Sequence, residues 1–513
     1  MSHLLAIDQG TTSTRSLLFD ATGRLLASAQ REFAQSYPQP GWVEHDPQTI
    51  WRDVLATARE VIAKSRAQVA AIGIANQRET TIVWDRADGT PIYPAIVWQD
   101  RRTAAECERL RQDGAEALVR ARTGLLLDPY FSATKLAWIL DHVAGARARA
   151  KRGELAFGTI DSFLLWRLTG GKAHATDATN ASRTMLFDIH RQSWDGDLLR
   201  LFNIPEALLP EVYDNSFLYG VTAPGLFDYE LPVAGMAGDQ HAALVGQACL
   251  EAGMAKATFG TGGFFLLNTG EQALSPAKGM LTTTAYRTGG RPSYAVEGSI
   301  FAAGAALKWL RDRLGLFNEV SRTGAIAAEI GGNDGVYLVP AFTGLGAPHW
   351  DPDARGLICG LTLDSGPAHI VRAALESAAY QTLDLMRAVT GGGGSPRALR
   401  VDGGVAGNDW FCQFLADIIA APVERPLMLE ATAQGAAFLA GHTIGVFPDF
   451  AAISAAWAGG ARFEPHMGTA ERERLLAGWR DAVQRCLGAG YAQHIRRQEE
   501  SRGRDGALNG YGR

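Results

Sequence analysis

Asp8 closes a short apolar run, Leu4-Leu5-Ala6-Ile7, and is followed by Gly10, Thr11, Thr12, Ser13 and Arg15. Gly10 lets the backbone turn tightly, and the three hydroxyl residues then present O–H and N–H donors together. A turn with one carboxylate and several donors can cradle a phosphate and, through Asp8, hold a hydrated Mg²⁺. An ordinary polar hairpin tip has the same composition, so this stretch alone leaves both readings open. The device recurs. Ala255 to Phe259 is strand-like, Gly260-Thr261-Gly262-Gly263 is a turn, and Phe264 to Asn268 is a second strand. A third short strand, Leu399 to Asp402, runs into Gly403-Gly404, with Asn408 opening a helix to Ile419. No G-x-x-x-x-G-K-[ST] is present and no G-x-G-x-x-G follows a strand, which sets aside P-loop and dinucleotide-binding machinery.

The elements that hold these turns alternate strand-like apolar runs with amphipathic helices, the pattern of an α/β chain with covered sheets. Asp46-Pro47 is a helix start leading into Thr49 to Lys64. Val69 to Ile74 reads as a buried strand ending in Asn76-Gln77-Arg78-Glu79, with Thr81 to Trp84 as its hairpin partner, turned around Arg86 to Gly89. Thr103 caps a helix toward Asp113, and further helices are expected at 132–143 and 161–168. At 513 residues the chain exceeds one ordinary core, so two domains are expected, 1–247 and 248–513, each offering a hairpin to a shared cleft. Gly391 to Gly394 reads as a surface linker, and the polar tail after about residue 491 as loosely ordered.

The net charge of −5 comes without a basic run, so neither a nucleic-acid surface nor a polybasic membrane anchor is indicated. The five cysteines are odd in number, widely spaced and free of any C-x-x-C pair, which suits reduced thiols in a cytoplasmic protein. No apolar run is long enough to span a bilayer.

Nine segments in order carry a resemblance: IDQGTTS at 7–13, GWVEHDP at 41–47, NQRETT at 76–81, IVWQDRRT at 96–103, DPYFS at 128–132, TNASRT at 179–184, GDQ at 238–240, FGTG at 259–262 and FTGLGAP at 342–348. With these the chain resembles the glycerol-phosphorylating branch of the FGGY carbohydrate kinases, whose fold belongs with actin, hexokinase and Hsp70. The resemblance implies two actin-like (ribonuclease H-like) ATPase domains of α/β type flanking a central cleft. It implies transfer of the γ-phosphoryl of ATP to glycerol, giving sn-glycerol 3-phosphate. Asp239 is then the catalytic base, collecting the proton late as the new bond to phosphorus forms. Arg78, Glu79, Tyr130, Asp239 and Gln240 contact the hydroxyls, while Trp98 and Phe264 pack against the carbons. An adjacent Arg and Glu put a donor fork beside an acceptor, which suits a diol. Thr11, Thr12, Ser13 and Arg15 match positions that meet the β- and γ-phosphates, Thr261 and Gly304 the phosphate contacts of the second domain, and Gly404 and Asn408 the adenosine region. Mg²⁺ is expected between Asp8, Asp239 and the phosphates, and a homodimer or homotetramer is implied.

Some positions depart from the family pattern. Residues 221–230, where regulated members carry a Gly-rich loop with Arg, are acidic here (Asp228, Glu230) and lack Arg, so inhibition by fructose 1,6-bisphosphate is not expected. His241 stands where a second Gln is usual, Gly263 where Cys is frequent, and Lys308 near the adenine where Gln is common. Two other readings compete: an FGGY kinase for another polyol or sugar, and a non-catalytic ATP-binding scaffold of the actin or Hsp70 kind.

Overall fold

The opening apolar run forms strand β1 (His3–Gln9), and Gly10 turns it into β2 (Ser13–Phe19) in the computed structural model, which describes residues 2–65, 67–275, 279–351, 353–390 and 396–487. Leu4, Leu5, Ala6 and Ile7 are all fully buried, as an unbroken apolar strand covered on both faces requires. Adding β3 (Leu25–Glu32), β4 (Val69–Asn76), β5 (Ser216–Val221) and β6 (Pro232–Gly238) gives a sheet in the order β5-β6-β4-β1-β2-β3. Strands β1, β4 and β6 are parallel, with Gln9 in register with Asn76 and Asn76 with Gly238. The polar residues that end these strands therefore lie along one edge, where open α/β sheets bind their ligands.

A second sheet repeats the plan. It contains β7 (Ala255–Phe259), β8 (Gly263–Gly270), β9 (Leu281–Thr288), β10 (Arg291–Ile300), β11 (Leu399–Asp402), β12 (Val423–Pro426) and β13 (Gly459–Phe463). Its order is β9-β10-β8-β7-β11-β12-β13. β7 is antiparallel to β8 and parallel to β11, as β1 is to β2 and β4. The two-lobed α/β architecture with repeated hairpins follows.

Four helices matter for the site: α1 (Asp239–Gly246), α2 (Gly304–Asp312), α3 (Asp409–Ile419) and α4 (Ala431–Thr443). Although α4 comes late in the chain, it packs on β4 and β6 of the first sheet and against α1. The approach is backbone to backbone. A Cβ on Gly435 would sit 1.8 Å from the Ala242 carbonyl oxygen, and one on Gly246 would sit 2.0 Å from that of Ala431. One apolar cluster accordingly mixes Leu4, Phe19 and Leu244 with Leu266, Ala295 and Phe438.

One pairing differs from the sequence expectation. Residues 82–85 do not form a hairpin with β4; they pair antiparallel with Leu155–Gly158. Both edges of β4 are already taken, in parallel, by β1 and β6, so no edge is left for a sequence neighbour. The turn around 86–89 is present, with Gly89 N–H donating to Asp85 O. Asp46 caps the helix Pro47–Ser65 through the N–H groups of Gln48 and Thr49. Thr103 precedes the helix Ala104–Gln112 but caps nothing, because its hydroxyl pairs with that of Thr134. Residues 391–394 and the tail after 491 lie outside the described residues. The five cysteines are free thiols.

Candidate active site

At the end of β4 the chain reverses within three residues. Thr80 N–H donates to Arg78 O at 2.7 Å, and Glu79 takes φ +62°, a left-handed conformation uncommon for a long side chain. This strained turn holds both Arg78 and Glu79 inside the protein, at 3% and 1% exposure, so the doublet is not a solvated surface pair.

Arg78 is the hub. Its Nε lies 3.1 Å from Asp239 Oδ1, while Nη1 and Nη2 reach the Glu297 carboxylate at 2.5 and 3.1 Å. Glu79 accepts from Arg183 Nε at 2.6 Å, and Arg183 Nη2 donates to Glu297 at 3.1 Å. Around these charges stand aromatic walls. Arg78 lies over the Phe264 ring at 5.7 Å, Arg183 over Tyr130 at 5.8 Å, and Trp98 meets Tyr130 edge to face at 5.5 Å. Gln240 accepts from the buried Lys256 Nζ at 2.5 Å. The structure thus brings Arg78, Glu79, Trp98, Tyr130, Asp239, Gln240 and Phe264 into one cluster of charged, amide and aromatic side chains.

Asp239 opens α1 immediately after β6. Gly238, not Asp239, occupies the N-cap position, and the Asp239 carboxylate accepts the adjacent Gln240 N–H, at 2.6 Å, besides its pairing with Arg78. Its side chain is 28% exposed, reachable by a small ligand. Burial raises its pKa above the usual carboxylate range, with Arg78 pulling the other way. Asp8 is likewise raised by burial and opposed by Arg15. Burial would also raise Glu297, but Arg183 and Arg78 hold it down to about 2. His241 is fully buried behind Arg78, and burial holds it neutral.

Asp8, next to the last residue of β1, and Asp239, the residue after β6, lie on either side of β4, about 10 Å apart by strand spacing, and the charge of Asp8 is felt at Asp239. Thr11 and Thr12 form the β1–β2 turn; Thr11 Oγ1 accepts from Trp98 Nε1 at 2.9 Å, joining the hairpin to the cluster. Arg15 is not open: its guanidinium pairs with Asp8 and with Glu430, the residue before α4. In the second lobe, Thr261 O accepts from Ala303 and Ala305 N–H, and Gly304 N–H donates to Gly260 O, so the turn is seated on the start of α2. A Cβ on Gly304 would sit 2.5 Å from Gly260 O. Gly404 is exposed just beyond β11, Lys308 is exposed on α2, and Asn408 caps α3 through Phe411 N–H while donating to Thr323 Oγ1.

Sequence reasoning did not assign Arg183, Glu297 or Lys256 to the site. Glu297 and Lys256 each interrupt an apolar strand, 293–298 and 255–257, and a lone charge in a buried strand is a detectable signal. Arg183 stood inside the TNASRT segment without a role.

Comparison with known proteins identifies the family of the chain. Residues 3–246 match the N-terminal domain and residues 255–444 the C-terminal domain of the FGGY family of carbohydrate kinases. A glycerol kinase of Gluconobacter oxydans is 60% identical over 487 residues, 94% of this chain and 95% of that protein. A glycerol kinase of Rhodospirillum centenum is 59% identical, covering 94% of this chain and 97% of that protein. The crystal structure of Plasmodium falciparum glycerol kinase with ADP superimposes with a TM-score of 0.89 at 36% identity, covering 95% of this chain and 99% of that one. With both domain families matched in order and relatives this similar along nearly its whole length, the chain belongs to the FGGY family of carbohydrate kinases.

Proposed function

We propose that this protein transfers the γ-phosphoryl group of ATP to a terminal hydroxyl of glycerol, producing sn-glycerol 3-phosphate and ADP. The observation that carries the reading is the Arg78–Asp239 pairing beside the rings of Trp98, Tyr130 and Phe264, which we take to line a small polar pocket. A small triol has little apolar surface and three hydroxyls to satisfy. Such a pocket offers it the free N–H groups of Arg78, the Glu79 carboxylate, the Tyr130 hydroxyl and the Gln240 amide. A site of this kind rejects an analogue lacking one hydroxyl by roughly 10⁴-fold, because its own polar groups are left unpaired.

Asp239 orients the reacting hydroxyl and accepts its proton as the oxygen bonds to the γ-phosphorus and the bond to the β-phosphate oxygen breaks. Burial favours this role, because a carboxylate with a raised pKa is a stronger base. The hairpin residues Thr11, Thr12 and Ser13 would meet the β- and γ-phosphates, and Arg15 would exchange Asp8 or Glu430 for phosphate oxygens. Thr261 and Gly304 would face the phosphates from the second lobe, with Gly404, Asn408 and Lys308 toward the adenosine. We read 1–247 and 248–513 as the two lobes, which close over the substrates and keep out competing water.

The carboxylates of Asp8 and Asp239 are hard oxygen donors suited to Mg²⁺, which is commonly held by one or two carboxylates together with phosphates and water. Bound there, the ion would neutralise phosphate charge. We expect the protein to act in the cytoplasm as a homodimer or homotetramer; no described helix is long and apolar enough to cross a membrane.

A coupled ADP-release assay over glycerol, dihydroxyacetone, xylulose and gluconate tests the reading. Turnover highest with glycerol supports it. Preference for xylulose or gluconate would identify a different sugar kinase, and no turnover with any of the four would favour a non-catalytic ATP-binding protein.

A further inference from the structure

Glu297 belongs to β10, which lies between the edge strand β9 and β8 in the second sheet, where its strand neighbours in register are Leu266 and Leu281. Its side chain is fully buried, yet it reaches out of that sheet to the first lobe. There its carboxylate meets Arg78 through both terminal nitrogens, at 2.5 and 3.1 Å, and Arg183 at 3.1 Å. The guanidinium side chains of Arg78 and Arg183 are 2% and 0% exposed. A buried ion cluster is a poor device for stability, since apolar residues of similar volume commonly do as well. What it does supply is direction. A guanidinium has five N–H groups in a rigid fork. Glu297 takes one from each terminal nitrogen and Asp239 faces Nε, so the orientation of the remaining donors is fixed from two sides. Asp239 is half-buried, at 28% exposure, whereas Glu297 is fully buried and is the anchored end.

From this geometry we infer that Glu297 is a positioning residue for phosphoryl transfer: it sets the fork of Arg78, and through Arg78 the carboxylate of Asp239, from the opposite lobe. The inference rests on the reading of Arg78 and Asp239 as contacts to the polyol. Because one partner comes from each sheet, the polyol grip is complete only when the two sheets stand as they do here.

The test uses the full-length protein with three variants. Glu297→Gln removes the charge. Glu297→Gln with Arg183→Met removes one charge of each sign and restores the balance of the cluster. Glu297→Asp keeps the charge but withdraws it by one methylene. For each, kcat and KM for glycerol and for ATP, the pH profile and the melting temperature are measured. Misplacing a catalytic group by about 1 Å can cost roughly 10²-fold, so Glu297→Gln should lose about that in kcat/KM for glycerol, with KM for ATP nearly unchanged. Without Glu297 to compensate it, the charge of Arg78 acts more fully on Asp239, and the acid limb of the profile moves to lower pH. The double variant should melt near the wild type and stay impaired. A folded variant with wild-type kcat/KM and an unmoved acid limb, or activity that in all three variants follows only the amount of folded protein, overturns the inference. A wild type that prefers xylulose would instead refute the choice of glycerol, and the same ratios would then be read on xylulose.

Discussion

Replacing Arg78 by Gln removes the guanidinium that stands between Asp239 and Glu297. Removing one partner from a buried ion cluster costs about 3–5 kcal/mol of stability, eased here because Glu297 keeps Arg183 at 3.1 Å and Asp239 keeps the Gln240 N–H at 2.6 Å, so activity is read per folded protein. A hydrogen bond to a charged group is worth about 1.5–3 kcal/mol. Two are lost in the transition state, one to the polyol and one orienting Asp239, for a combined cost of about 3–6 kcal/mol, or roughly 10²–10⁴-fold in kcat/KM. The pH profile carries a second, independent signature. Asp239 must be ionised to accept a proton, so activity rises as pH increases through its pKa. Burial raises that pKa and Arg78 lowers it. Without Arg78 the acid limb must therefore move to higher pH. Arg78→Lys returns a positive charge and should return most of the limb, but not the forked geometry or the full kcat/KM. The assay is coupled ADP release with saturating ATP and varied glycerol across the pH range. An acid limb that stays in place, or a kcat/KM within about threefold of wild type, would refute the assignment of Arg78 as the partner of the base.

Other perturbations test other parts of the structure. Burial and the neighbouring Asp177 push Asp161 up to about 7, so its contribution to stability is full below its ordinary value of 3.8 and is lost as pH rises through 7. Asp161→Asn should therefore gain melting temperature relative to wild type at pH 8 compared with pH 4.5, and a difference independent of pH contradicts the burial of an acid there. Gly435→Ala drives a Cβ into the Ala242 carbonyl, with backbone on both sides and no room to yield; we expect a loss of about 3 kcal/mol in urea unfolding, and a loss below about 0.5 kcal/mol would contradict the contact. Fructose 1,6-bisphosphate should leave the rate unchanged, because residues 221–230 carry Asp228 and Glu230, and the Arg59 guanidinium that reaches them is spent on the carbonyls of Gly225 and Leu226. Marked inhibition would contradict that.

The parts of the site that sit in contiguous sequence were legible in advance. The run Leu4 to Ile7, the carboxylate ending it and the turn beyond are local features, and β1 and β2 form as expected with Asp8 in register with Arg15. The same holds for the Gly260–Gly263 turn and for Asn408 at the head of α3. Long-range partners were not legible. The sequence makes Thr81 to Trp84 the partner of β4, but sheet edges are filled by whichever strand the topology delivers, here β1 and β6. The bonding of Arg15 to Glu430, of Lys256 to Gln240 and of Glu297 to Arg78 spans the two lobes. Each pairs a charge in one lobe with a charge or amide in the other, and no local propensity records such a match. The docking of α4 on the first sheet left a trace in Gly73, Gly235, Gly246 and Gly435, small residues whose purpose appears only when the opposing backbone is in place.

The central claim is that Asp239 takes the proton from a small triol as it meets the outer phosphate of ATP. It is tested most directly by rapid-quench measurement of a single turnover in Asp239→Asn, with glycerol binding followed by calorimetry. Loss of the base should slow the transfer step by about 10²–10⁴-fold while glycerol still binds. Transfer at the wild-type rate would contradict the account.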